Sequence, residues 1–169
     1  MKMTDEKRTH LTHPFEPVFD ENSEILILGS FPSVKSRENS FYYGHAQNRF
    51  WKVTSSLYGC SVPVTISEKT DFLNAHKIAL WDVIGSCSIS KSSDSSIKDA
   101  LPNDIPTLVS ETRINRIFLN GKTAYGLYLK FFPELSVKIP SVCLPSTSPA
   151  NAAWNTEKLT EAWSVILGK

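Results

Sequence analysis

Four short apolar runs constrain this chain more than any other feature: Glu24–Ser30 (EILILGS), Lys77–Val83 (KIALWDV), Ile114–Gly121 (INRIFLNG) and Ile139–Pro145 (IPSVCLP). Each is too short to be a typical helix and ends in Gly, Ser, Asp or Pro. Near-continuous apolar character leaves no solvent face, as in strands of a parallel sheet covered on both sides. Between the runs, Asn48–Tyr58, Ser67–His76 and Lys122–Phe132 repeat their apolar residues at helical spacing. A closing helix over Ala153–Leu167 buries Trp154, Leu159, Ala162, Trp163 and Ile166. Strand and helix thus alternate, which predicts an α/β fold: a three-layer α/β/α sandwich around a central four-stranded, mostly parallel sheet. A chain of 169 residues suits one domain spanning 1–169, with residues 1–20 as an arm lying over the sheet. The Ser- and Asp-rich segment Gly85–Pro106 interrupts the alternation and reads as a mobile excursion carrying one short helix.

Composition narrows the setting. No apolar run approaches the roughly 20 residues that span a bilayer, so no membrane partner is expected. The segment after Met1 is polar and lacks a secretory core, and the three cysteines, Cys60, Cys87 and Cys143, show no pairing by spacing. A cytoplasmic monomer is the expectation. With a net charge of +1, a polyanion must be held by local donors and helix N-termini rather than by a broad basic field.

In open parallel sheets, ligands gather at the carboxyl ends of the strands. Here the first run leaves through Gly29, Ser30, Phe31, Pro32 and Ser33 and the last through LPSTSPAN, Leu144–Asn151, so the two loops face one site. Familiar motifs do not account for it. Asn120–Gly126 (NGKTAYG) ends like a phosphate-binding loop, yet Arg116 stands where that motif needs its first glycine. No Gly-x-Ser-x-Gly elbow activates Ser33 or Ser146. His10 and His13 (HLTH) have a metal-compatible spacing but no second ligand pair, and read as part of a solvated arm; no metal is expected.

GSFPS, YYGHAQNRFW and LPSTSPAN, taken in this order, resemble the uracil-DNA glycosylase superfamily. The segment His45, Asn48, Arg49, Phe50, Trp51 is similar to a run of its mismatch-specific branch, with Ala46 in place of a proline. Leu26–Trp51 together with Ser146–Asn151 more closely resembles the hypoxanthine-DNA glycosylase, or DNA-deoxyinosine glycosylase, branch. Two positions depart from the uracil-cleaving branches: Phe31 replaces the water-positioning Asn or Asp, and Leu144 replaces the His or Asn of the last loop.

The resemblance implies removal of a deaminated base from DNA, most closely hypoxanthine from deoxyinosine, without metal or other cofactor. It implies an asparagine further along the first loop as the catalytic, water-positioning residue, for which Asn39 is the candidate; Glu38 is the competing general base. Gly29, Ser30 and Phe31 would offer polar backbone groups to the flipped base, Tyr43 would stack on it, and His45 and Asn48 would complete the base site. Pro145, Ser146, Thr147, Ser148, Pro149 and Asn151 would contact the DNA. Simpler roles stand beside these. Tyr43 also suits core packing, His45 and Asn48 suit loop fixing and helix capping equally well, and Phe50 and Trp51 fall on the apolar side of their helix. Uracil or xanthine as the main substrate, and a noncatalytic nucleic-acid or nucleotide-binding domain of the same fold, are the alternatives.

Overall fold

A computed structural model describes residues 8–90 and 96–168. In chain order its strands are β1 (Thr9–Thr12), β2 (Ile25–Gly29), β3 (Ile78–Asp82), β4 (Ile84–Ile89), β5 (Lys98–Pro102), β6 (Arg116–Asn120) and β7 (Ser141–Leu144). Its helices are α1 (Val34–Asn39), α2 (Phe50–Leu57), α3 (Ile66–Ala75), α4 (Ile105–Ser110), α5 (Lys122–Phe131), α6 (Pro133–Lys138) and α7 (Thr156–Trp163), followed by a 3-10 turn, Ser164–Leu167.

β2 is buried at every position, as its apolar run requires. It lies between β3 and β6 in parallel, Ile25 opposite both Ile78 and Arg116, and β7 adds to β6 with Ser141 opposite Ile117. The strand order is β3-β2-β6-β7. Alternate side chains go to opposite faces. Ile25, Ile27, Leu80 and Phe118 meet Phe50, Trp51, Leu73 and Trp163 of α2, α3 and α7 on one side. Leu26, Leu28, Ala79 and Leu119 meet Ile105, Leu108, Ala124 and Tyr128 of α4 and α5 on the other. These are the three layers expected from the sequence.

Local chemistry fixes where helices start. Thr65 and Glu68 form a reciprocal capping box at α3, Asp104 accepts from Thr107 N at α4 with Pro106 in the first turn, and Asn155 caps α7. α5 begins at Gly121 without a side-chain cap.

The arm and the excursion differ from expectation. β1, β4 and β5 form a second, antiparallel sheet in the order β1-β4-β5, with Thr9 opposite Ile89 and Ile84 opposite Pro102. Residues 1–7 of the arm and 91–95 of the excursion lie outside the described residues. Beneath this sheet Phe31, Ile84 and Cys87 are buried together with Leu11 and Ala100 packed against them. Val18 further bridges Leu80 at the free edge of β3. The described part of Gly85–Pro106 is therefore mostly strand, held by long-range ladders that its polar composition conceals.

Candidate active site

The carboxyl ends of β2, β3, β6 and β7 open into a cleft of about 800 Å³. Gly29, Asp82, Asn120 and Leu144 end the four strands and all line it, together with Tyr43 and Asn48 from the long first loop.

Gly29 is there because nothing larger fits. A Cβ at this position would lie 2.4 Å from Asp82 Oδ1 and 3.2 Å from the Tyr43 hydroxyl. The missing side chain is thus what lets the Asp82 carboxylate and the Tyr43 phenol close over the end of β2. Asp82 Oδ2 is bound to His13 Nε2 at 2.8 Å, and both side chains are almost fully buried. Oδ1 has no protein partner among the described residues, so the cleft wall carries one carboxylate oxygen with unused lone pairs.

Tyr43 adopts a left-handed backbone, φ 52°, which is uncommon for an aromatic residue. The turn lays its ring against Phe50, with centroids 4.2 Å apart and planes 21° from parallel. Phe50 backs one side of a ring that lines the cleft. The Tyr43 hydroxyl is buried without a hydrogen bond of normal geometry. Burial, reinforced by the Asp82 carboxylate, pushes its pKa far above the ordinary tyrosine value, while the neighbouring Asn120 amide acts in the opposite sense. Tyr43 therefore stays a neutral phenol.

Across the cleft, Thr147 joins two asparagines. Its N–H donates to Asn120 Oδ1 at 3.0 Å, its hydroxyl accepts from Asn120 Nδ2 at 3.0 Å, and the same hydroxyl donates to Asn48 Oδ1 at 2.9 Å. Asn48 Oδ1 also accepts from Phe50 N at 2.9 Å, which tucks the start of α2 against the site. With its oxygen doubly engaged, Asn48 keeps an Nδ2 group that donates to none of the described residues. Arg49 fastens the last loop, since its guanidinium donates to the carbonyls of Thr147, Ser148, Asn151 and Trp154. Within that loop Asn151 Nδ2 donates to Ser146 O, and Trp163 Nε1 donates to Pro145 O from below. The loop is held by contacts within the protein itself.

Residues 16–167 match the family model described as the uracil DNA glycosylase superfamily. The chain belongs to that superfamily. Among curated proteins it is 34% identical over 154 residues to the hypoxanthine DNA glycosylase of Methanosarcina acetivorans, covering 90% of this chain and 95% of the relative. It is 36% identical over 110 residues to the hypoxanthine DNA glycosylase of Methanosarcina barkeri, covering 64% of this chain and 70% of that one. Its fold matches the solution NMR structure of a uracil DNA glycosylase candidate from Methanosarcina acetivorans with a TM-score of 0.79 and 32% identity, over 94% of this chain and 96% of that one.

The superfamily motifs are distributed unevenly around the cleft. Gly29, Ser30, Phe31, Tyr43, Asn48, Pro145, Ser146, Thr147, Ser148 and Asn151 line it, whereas Asn39, His45 and Pro149 do not. Asn39 ends α1 on the exposed side, where its Nδ2 donates to Gly44 O at 3.2 Å and so ties down the turn that carries Tyr43. Glu38, beside it, pairs with Lys35 in solvent. His45 Nδ1 accepts from Gln47 N, a loop-fixing contact. Thr147 is fully buried and spends its N–H and hydroxyl on Asn120 and Asn48. His13 departs from the solvated arm expected for it. Asp82, Asn120 and Arg49 are not among the predicted site residues, although Asp82 and Asn120 end parallel strands, a position that marks ligand sites.

Proposed function

We propose that this protein is a monofunctional DNA glycosylase that hydrolyses the N-glycosidic bond of deoxyinosine, releasing hypoxanthine and leaving an abasic site. The observation that carries the reading is the cleft itself. It pairs a flat aromatic wall, Tyr43 backed by Phe50, with an unpartnered acceptor, Asp82 Oδ1, and an unspent amide donor, Asn48 Nδ2. Both curated relatives named above carry the same activity in their names.

A base must leave the duplex stack before these groups can reach it. Once flipped, hypoxanthine is a lactam that presents an N–H at N1, which Asp82 Oδ1 accepts. Adenine presents a lone pair there and meets the carboxylate unfavourably. Tyr43 supplies the stacking surface. C1′ becomes oxocarbenium-like as the bond to the base breaks and its electron pair leaves with the base nitrogen, so water adds to a cation and need not be deprotonated beforehand; the proton it sheds as the C1′–O bond forms is taken up by the departing base. An amide then suffices: Asn48 Nδ2 donates to the water oxygen and holds its remaining lone pair toward the sugar. Asn48 takes this role in place of Asn39 because Asn48 lines the cleft and Asn39 does not. Ser146, Ser148 and Asn151, on the loop pinned by Arg49, stand at the mouth to receive the flanking strand. The partner is DNA carrying a deaminated base; no helix among the described residues is long and apolar enough to cross a membrane.

The test is to incubate the protein with duplex containing a single deoxyinosine and to assay for free base, for the abasic product and for borohydride-trapped protein–DNA adduct. Free hypoxanthine with an intact abasic strand and no adduct is expected. Binding without base release contradicts the reading, and an adduct through Lys122, which lines the cleft, contradicts its monofunctional part.

A further inference from the structure

His13 reaches the cleft on the N-terminal strand. The β1 ladder to β4, continued by His13 N donating to Gly85 O at 2.7 Å, brings the imidazole to the end of β3. There Nδ1 lies 2.8 Å from the Phe15 carbonyl and Nε2 lies 2.8 Å from Asp82 Oδ2, with the two side chains 4% and 5% exposed. A carbonyl only accepts, so Nδ1 carries a proton. The second contact also holds one proton, either on Nε2 facing a carboxylate or on Oδ2 facing a neutral ring. In both arrangements that proton lies between Nε2 and Oδ2, and Oδ1 keeps its lone pairs.

Among the described residues the surroundings offer no competing partner. Phe15 and Phe31 meet the imidazole edge-on, and Tyr42, 6.0 Å away between ring centroids, gives its hydroxyl proton to the Glu16 carbonyl. The nearby phenols of Tyr42 and Tyr43 are kept neutral by burial, with Asp82 and, for Tyr42, Glu16 adding to the effect.

We propose that His13 is a positioning residue for base recognition: by occupying Oδ2 it commits Asp82 Oδ1 to be a hydrogen-bond acceptor facing the cleft, and so selects a base edge that carries N–H. The inference deepens the reading of the cleft as a base pocket and rests on it. It also gives the N-terminal strand a function, since β1 delivers the residue that sets the polarity of the pocket wall. Without His13, the carboxyl can rotate or hold a proton on Oδ1, and the preference for an N–H edge over a lone-pair edge is lost.

A double-mutant cycle tests this in single-turnover cleavage of deoxyinosine duplex, with thermal unfolding measured on every variant. His13→Ala is expected to lower the rate about 10- to 100-fold, the scale of a hydrogen bond to a charged group. In an Asp82→Ala background the same change is expected to cost less than about 2-fold, because His13 then has nothing to position. His13→Gln, whose amide can donate to Oδ2, is expected to recover part of the rate and stands in should the alanine variant fail to fold. Additive losses, or a wild-type rate per folded molecule in His13→Ala, overturn the proposal. A second arm does not depend on catalysis: carboxyl ¹³C resonances are followed while free hypoxanthine or adenine is added. The Asp82 signal is expected to respond to hypoxanthine and not to adenine in the wild type, to lose that distinction in His13→Ala and to keep part of it in His13→Gln. Retained distinction in His13→Ala overturns the role of His13 even if deoxyinosine is cleaved. Failure of cleavage with the distinction intact in the wild type and lost in His13→Ala supports His13 while removing the proposed reaction.

Discussion

At the scale of single residues, the account depends on three positions with different chemistry. Gly29 is fixed by space: a methyl group there would collide with Asp82 Oδ1. Gly29→Ala should reduce deoxyinosine cleavage by about 100-fold, the loss typical when a reacting group is displaced by an ångström. Cleavage near the wild-type rate would show that Asp82 need not sit where it does. Asn48 is fixed by its unspent donor. Asn48→Ala should lower single-turnover cleavage by about 100-fold with lesion-DNA binding largely kept, whereas Asn39→Ala, which loses only a contact to Gly44 O, should fall by less than about 10-fold. The reverse order would return the water to Asn39. Tyr43 is fixed by its ring and not by its hydroxyl, which is buried and unpartnered. Tyr43→Phe should therefore be neutral or slightly stabilising in thermal unfolding, and Tyr43→Ala should lose roughly 1–3 kcal/mol of base stacking in lesion-DNA binding.

At the scale of elements, the last loop behaves as a pre-set part because one side chain holds four of its carbonyls. Lysine cannot reproduce that planar fork. Arg49→Lys should weaken cleavage and binding together by about 10-fold or more, and unchanged binding would mean that the loop holds its own shape. Such contacts also explain what could be read from sequence. β2, β3 and β6 were legible because burial on both faces writes a near-continuous apolar run, β7 because it keeps a short apolar run although only Leu144 is buried, and α3 because its apolar residues recur at helical spacing. β1, β4 and β5 were not. β5 is exposed at four of its five positions, and bulges in its pairing with β4 break the alternation that marks a strand. The site divides along the same line. Gly29, Tyr43, Asn48 and Ser146 lie in contiguous motifs, but the contact of His13 with Asp82 joins residues 69 apart, and no local pattern encodes it.

At the scale of the whole molecule, buried phenols link stability to alkaline pH. Tyr42, Tyr43 and Tyr128 are all raised from the ordinary value of 10.0 by burial, Tyr128 to about 12. Unfolded tyrosines ionise first as pH rises, so the folded state binds more protons there and stability declines with pH. The contribution is complete below pH 10.0 and fades as pH climbs through the raised folded-state values. Thermal unfolding followed by tyrosinate absorbance should show a midpoint that drops steeply above that pH, with the absorbance rise coinciding with unfolding. Ionisation well ahead of unfolding would mean that these hydroxyls reach solvent in the native state.

The central claim is that the cleft selects a lactam purine and cuts it from DNA. Single-turnover release from otherwise identical duplexes carrying deoxyinosine, deoxyuridine, deoxyxanthosine or deoxyadenosine tests it most directly. Hypoxanthine should be released fastest, and the Asp82 acceptor predicts no detectable release of adenine. Faster release of uracil than of hypoxanthine, or tight binding of every duplex with no base set free, would contradict it.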